Sequence, residues 1–190
     1  VQITGLPGAG LVETPVAVRG HAESPHSQLD IVSSRVLGGE QSNTSIVYEL
    51  KDADGVPLRP IICKLFRALH HGETPDVVLL GALGAAGSRV VPSSVGHVTG
   101  QWSDSGQPGG IAHGHLAFAQ EFLPGVEDAW RLTLRAAEEG RDFTIAARAL
   151  GEATAEVHET LARTLTTRPC TAADIGDAMA SMRRRLGLAI

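Results

Sequence analysis

The chain changes its period at Pro124-Gly125, and this constrains its fold more than any other feature. Before that point apolar and polar residues alternate in short runs: "LDIVSSRVL", "TSIVYEL", "LRPIICKLF", "SVGHVTGQW" and "HGHLAFAQEFLPG". Period-two alternation is the signature of strands. Asp54-Gly55 supplies a hairpin turn between the second and third runs. One helical stretch, "TPDVVLLGALGAAG", follows the third run, with Thr74 as cap, Pro75 at the first helical position, Asp76 at the positive end and Gly87 as terminator. Beyond Pro124-Gly125 the spacing is helical in "VEDAWRLTLRAAEEG", "RDFTIAARALGEATAEVHETLARTL" and "TAADIGDAMASMRRRLGLA", the last capped by Thr171. The sequence thus predicts an α+β fold: about five antiparallel strands, one helix inserted after the third, then helices only. Three segments follow from this: an irregular lead-in over 1–28 with one or two edge strands, a sheet unit over 29–125, and a helical segment over 126–190.

Composition narrows the partners. Apolar residues at 43% and charged residues at 19% allow a packed core and argue against general disorder. Aromatic residues are only 4%, too few for a base-stacking surface, and the net charge of -5 opposes nucleic acid and anionic membrane alike. A small anionic ligand is compatible with that charge, because a local cation can hold it. No apolar run reaches the ~18 residues of a membrane span, and "VQITGLPGAGLVETP" lacks a signal peptide's basic start, so the predicted location is the cytoplasm. Cys63 and Cys170 are far apart and without C-x-x-C spacing; Cys63 reads as a small core residue.

The chemistry-bearing stretch is "GGEQSNTS" followed by "IICKLF". Phosphates need backbone N–H groups, hydroxyls and a cation at fixed separation. Gly38 and Gly39 allow a tight turn, Ser42, Asn43, Thr44 and Ser45 bring polar groups to it, and the strand with Lys64 lies alongside. It is not a Walker loop, and the full G-x-G-x-x-G spacing is absent. A glycine-rich hairpin is usually only a hairpin, and a strand lysine usually snorkels from an edge.

In combination, "EQSNTS" (Glu40 to Ser45), "KLF" (Lys64 to Phe66), "PD" (Pro75, Asp76), "QEFLPG" (Gln120 to Gly125), "DAW" (Asp128 to Trp130) and "LGEATAEVH" (Leu150 to His158) resemble the N-lobe of eukaryotic-like sugar kinases. Within them the actinobacterial maltokinase family is the one they resemble, over roughly residues 33–170. The resemblance implies that Lys64 holds the α- and β-phosphates of ATP and that Ser42, Asn43, Thr44 and Ser45 form the loop covering them. Gln120, Glu121 and Phe122 would be the hinge, with backbone groups on adenine and Phe122 lining its pocket. It implies transfer of the γ-phosphoryl to a sugar hydroxyl, with maltose 1-phosphate as product in trehalose-to-α-glucan metabolism. Mg²⁺ would be the metal, with no ligand among the matched residues. Relatives phosphorylate glucosamine, so the motifs leave the sugar open.

Two departures stand out. Where relatives carry a Glu that pairs with the strand lysine, this chain has Val78, leaving Glu73 or Asp76 as substitutes. The family's His-Gly-Asp-like catalytic loop and Asp-Phe-Glu-like metal motif have no counterpart after Gly125, where Asp142, Asp174 and Asp177 read as helix caps. The chain is therefore expected to hold the nucleotide-binding half and no catalytic residue, with little of the family's N-terminal cap region. The alternatives are another small-molecule kinase, for glucosamine or an aminoglycoside, and a non-catalytic nucleotide-binding module. Apolar faces left bare on the terminal helices would drive homodimerisation. His113-x-His115 puts two imidazoles on one strand face without an evident third ligand, and reads as exposed polar alternation, as does the turn His70-His71.

Overall fold

The computed structural model describes residues 17–23, 29–38 and 43–188. Six strands form one antiparallel sheet: β1 (Val18–Ala22), β2 (Asp30–Val36), β3 (Asn43–Lys51), β4 (Ile61–Phe66), β5 (Ser94–Ser103) and β6 (Ile111–Glu121), in spatial order β1-β5-β6-β4-β3-β2. The helix α1 (Pro75–Ala85) is inserted between β4 and β5, and α2 (Ala129–Glu138), α3 (Thr144–Thr164) and α4 (Ala172–Leu188) follow the sheet. The architecture is α+β, as the periodicity predicts. The lead-in adds one edge strand, so the sheet has six strands rather than about five; β1 leaves its sequence neighbour β2 at the opposite edge and pairs with β5.

The turns follow from local chemistry. Between β3 and β4, the Asp52 carboxylate accepts the N–H groups of Asp54 (3.0 Å) and Val56 (2.8 Å), and Gly55 takes φ +81°. A side chain folding back on its own backbone in this way, with glycine in the left-handed region, makes a tight hairpin. α1 ends at Gly87 (φ +75°), where the Ser88 N–H reaches the Leu83 carbonyl at 3.0 Å, the Schellman pattern. Its start departs from expectation. Thr74 stands at the N-cap ahead of Pro75, but its side chain makes no capping bond; its backbone N–H donates to His115 Nδ1 at 2.9 Å.

Side chains just before or at the start of the later helices bond their first backbone N–H groups. Asp128 accepts from the Arg131 N–H (2.9 Å) and opens α2. The Asp142 carboxylate accepts from the Thr144 N–H and hydroxyl ahead of α3. At α4 the Asp174 carboxylate accepts the Thr171 N–H at 2.8 Å while the Thr171 hydroxyl accepts the Asp174 N–H at 3.3 Å, a reciprocal box that satisfies two orphan donors. The buried apolar residues are Val47 and Leu50 of β3, Ile62 of β4, Ala112, Ala117 and Phe118 of β6, Val77 and Leu83 of α1, and Ala136 of α2. The core thus sits between the central strands and α1, which also touches α3. No helix among the described residues is long and apolar enough to cross a membrane.

Candidate functional site

The hairpin of β2 and β3 closes where the Leu37 N–H donates to the Ser45 carbonyl at 2.8 Å. Ser42 lies outside the described residues. Asn43, Thr44 and Ser45 already belong to β3, opposite Phe66, Leu65 and Lys64, rather than to a loop. Lys64 in turn faces Phe118 across β6's side. Directly opposed residues of antiparallel strands share a face, which puts Ser45, Lys64 and Phe118 together on one side of the sheet. Ser45 and Phe118 are buried, at 0% and 1% exposure, and Lys64 is half-buried. Among the described residues Lys64 forms no ion pair. Neither Glu73 nor Asp76 pairs with it; the Glu73 carboxylate instead acts on His115. A partly buried ammonium held without a carboxylate is costly unless an anion completes it.

At the far end of β6, Gln120, opposite Ile62, and Glu121, opposite Ile61, are the last residues of the strand, with Phe122 after them. The N–H of Glu121 goes to the Ser93 carbonyl and that of Phe122 to the Pro60 carbonyl, both at 2.8 Å. Those two N–H groups are therefore occupied within the protein. The Leu123 N–H has no hydrogen bond among the described residues and is the donor left at this edge. The Arg59 guanidinium hydrogen-bonds the Glu121 carboxylate and holds its pKa below the usual carboxylate range. The Arg35 guanidinium lies 5.5 Å from the centre of the Phe122 ring, a cation–π distance. Sequence reasoning missed Arg35, Arg59 and Ser93, since each reaches the strand end from a distant segment. Only the fold brings them there.

A second polar cluster occupies the other end of β5 and β6. A groove of about 560 Å³ is lined by Arg19, His21, Glu73, His97, His113 and His115, among others. The His21 and His97 rings stack at 4.6 Å between centroids, and His97 meets His115 edge-on at 4.9 Å. Two glycines permit this. A Cβ on Gly96 would stand 2.2 Å from the His21 carbonyl, and one on Gly114 would stand 2.5 Å from the His70 carbonyl. The Gly72 N–H then reaches the His113 carbonyl at 2.8 Å and lays residues 70–73 along β6. The expectation of plain exposed alternation at His113-x-His115 is therefore corrected. His113 is exposed and touches His71, but His115 is buried at 8% exposure and hydrogen-bonded. Burial lowers the pKa of both His97 and His115.

Of the acidic residues read as helix caps, Asp174 caps α4 and also carries the Arg168 guanidinium at 2.6 Å, Asp142 accepts from Thr144 just ahead of α3 without being its N-cap, and Asp177 lies inside α4. Among the described residues no group of three or more His, Cys, Asp or Glu side chains is placed to hold a metal ion. The described residues thus offer no ready three-ligand protein centre for Mg²⁺. Burial pushes the Cys63 thiol up, away from a reactive thiolate.

No protein-family model matches the chain. Among solved structures it is similar to a glucosamine kinase (crystal form B), with 19% sequence identity and a TM-score of 0.46. The match covers 89% of this chain and 53% of that one, so the chain spans about half the length of this neighbour.

Proposed function

We propose that the chain is the ATP-binding portion of a sugar kinase of the maltokinase type. The observation that supports this most is Lys64: a half-buried ammonium without a carboxylate partner among the described residues, beside the opening of the β2–β3 hairpin. The inserted helix between the lysine strand and the next strand is the arrangement that the motif resemblance implies. In this reading Lys64 takes the α- and β-phosphates as a charge-assisted donor. Ser42 to Ser45 contribute the hairpin polar groups around them. Gln120, Glu121 and Phe122 frame adenine, with the Leu123 N–H as the free donor toward the base edge. Residues 29–125, joined by β1, form the nucleotide-binding unit, and 126–190 begin a helical lobe. The acceptor is maltose or, as the runner-up, glucosamine, and Mg²⁺ would accompany ATP with ligands from outside the described residues.

A second reading, a module that binds nucleotide without transferring phosphate, draws on two observations. Among the described residues Lys64 has no acidic partner, and Asp142 and Asp174 are taken up at the starts of α3 and α4. Both readings need ATP on Lys64. Lys64→Ala is expected to weaken ATP binding by about tenfold or more, the worth of a charge-assisted contact, in isothermal titration. An unchanged affinity in a folded variant defeats both. Phosphoryl transfer assayed on maltose and on glucosamine then separates them.

A further inference from the structure

We propose that docking of α1 is controlled by a proton at His115 Nδ1, so that this helix start is secured at neutral pH and released in mild acid. The bond between the Thr74 N–H and His115 Nδ1, 2.9 Å long, fixes the chemistry. A backbone N–H can only donate, so Nδ1 must offer its lone pair, and the neutral ring carries its hydrogen on Nε2. The next proton can bind only at Nδ1. It consumes the lone pair, turns the acceptor into a donor and sets two N–H groups against each other.

The fold makes this bond matter. Thr74 is the N-cap of α1 and its side chain does not cap, so the His115 bond is the tie to β6 at the helix start itself, next to the Gly72 N–H bond to the His113 carbonyl two residues earlier. Pro75 follows and brings no N–H of its own. The surroundings oppose the added charge. The His97 ring stands edge-on to His115 and the His21 ring stacks on His97, so a cation on one raises the cost of a cation on the next. His97 Nδ1 is buried and has no hydrogen-bond partner among the described residues, which leaves no acceptor poised there for a proton. Among the described residues, charged and titratable groups face the cluster from several elements. β1 brings Arg19 and His21, Glu23 follows it, β5 brings His97, β6 brings His113, and the 70–73 loop brings His70, His71 and Glu73. α1 adds only Asp76, exposed in its first turn. Glu73 favours the charged His115, but burial outweighs it and the pKa is lowered from 6.5.

In the unfolded chain His115 takes its proton near 6.5, and in the folded chain it takes it at lower pH. The contribution of the neutral ring is thus complete above 6.5 and is lost as pH falls from there toward the lower folded value. Release of the helix start is expected in that window. The inference stands apart from the nucleotide reading, since it concerns α1 whether or not ATP binds.

Hydrogen exchange of the whole chain tests it. Amide exchange across Val77 to Leu83, corrected for the intrinsic pH dependence, should quicken about tenfold or more between about pH 7.5 and about pH 5. In His115→Asn the amide oxygen sits where Nδ1 was and does not titrate, so the quickening should vanish while protection at neutral pH remains. Quickening that persists in His115→Asn overturns the proposal, as does protection that is equal at both pH values in the unaltered chain. Should that variant fail to fold, imidazole ¹⁵N spectra of the unaltered chain decide. Protonation of His115 Nδ1 must coincide with loss of Thr74 amide protection, and protonation with that amide still protected overturns the idea.

Discussion

The sheet with α1 and the helical run after Gly125 are built on different principles. In the first, residues distant in sequence interlock: β5 lies between β1 and β6, and β6 between β5 and β4. All the buried apolar residues among those described, save Ala136, belong to it. In the second, each helix is secured mostly by bonds within itself, at Asp128, Asp142 and the Thr171–Asp174 box. Many of its large apolar side chains stay in solvent, with Trp130 at 71% and Ile145 at 83% exposure, while Leu132, Phe143 and Leu161 are half-buried. One link between the halves is the Ser88 hydroxyl donating to the Glu156 carboxylate at 3.0 Å. The difference teaches that burial, not helix propensity, stabilises this chain, and that the proposed ligand groups sit on the part whose geometry burial enforces.

The sharpest way to break this comparison is a pair of truncations. Phe118→Ala should cost about 3–5 kcal/mol, because a filled core position becomes a cavity. Trp130→Ala should change stability by no more than about 0.5 kcal/mol, as expected of an exposed side chain. Equal costs in denaturant titrations would erase the contrast. A smaller effect is expected at Gly114→Ala, whose new Cβ meets backbone carbonyls at His70 and Gly72. It should cost about 1–3 kcal/mol and free the 70–73 loop without altering α2 to α4, which circular dichroism and amide exchange would report. The smallest belongs to Arg59→Ala. The guanidinium is 84% exposed, so its pair with Glu121 is worth about 1 kcal/mol or less. Glu121 is held below its ordinary pKa of 4.5. That contribution is therefore present above 4.5 and lost as pH falls through the lower folded value. The variant should differ from the unaltered chain at neutral pH and converge with it in acid.

Much of the element order was legible in the chain. The Asp54-Gly55 turn, the helix inserted after "IICKLF", Gly87 as its terminator and the Thr171 cap all rest on interactions within a few residues, which local patterning reports directly. The edge strand β1 was harder to place. Its partner β5 lies 78 residues away, as the His21 to Thr99 bond shows, and nothing in "VRGHA" names that partner. The histidine groove was illegible for the same reason. His21, His97 and His115 come from three strands, and the glycines that let them meet look like ordinary strand glycines until a neighbour's backbone is present. At the candidate site, the nearness of Ser45 and Lys64 followed from hairpin register. The idle partners Glu73 and Asp76 did not, because Thr74 turns to His115 and so sets where α1 begins.

The most direct test of the central claim is an amide chemical-shift map during ATP titration of the unaltered chain, repeated with Lys64→Ala. Shifts are expected to begin at Ser45, Lys64, Phe122 and Leu123, to leave α2 to α4 unmoved, and largely to disappear in the variant. Shifts confined to the helices or to the histidine groove, or unchanged in Lys64→Ala, would contradict it.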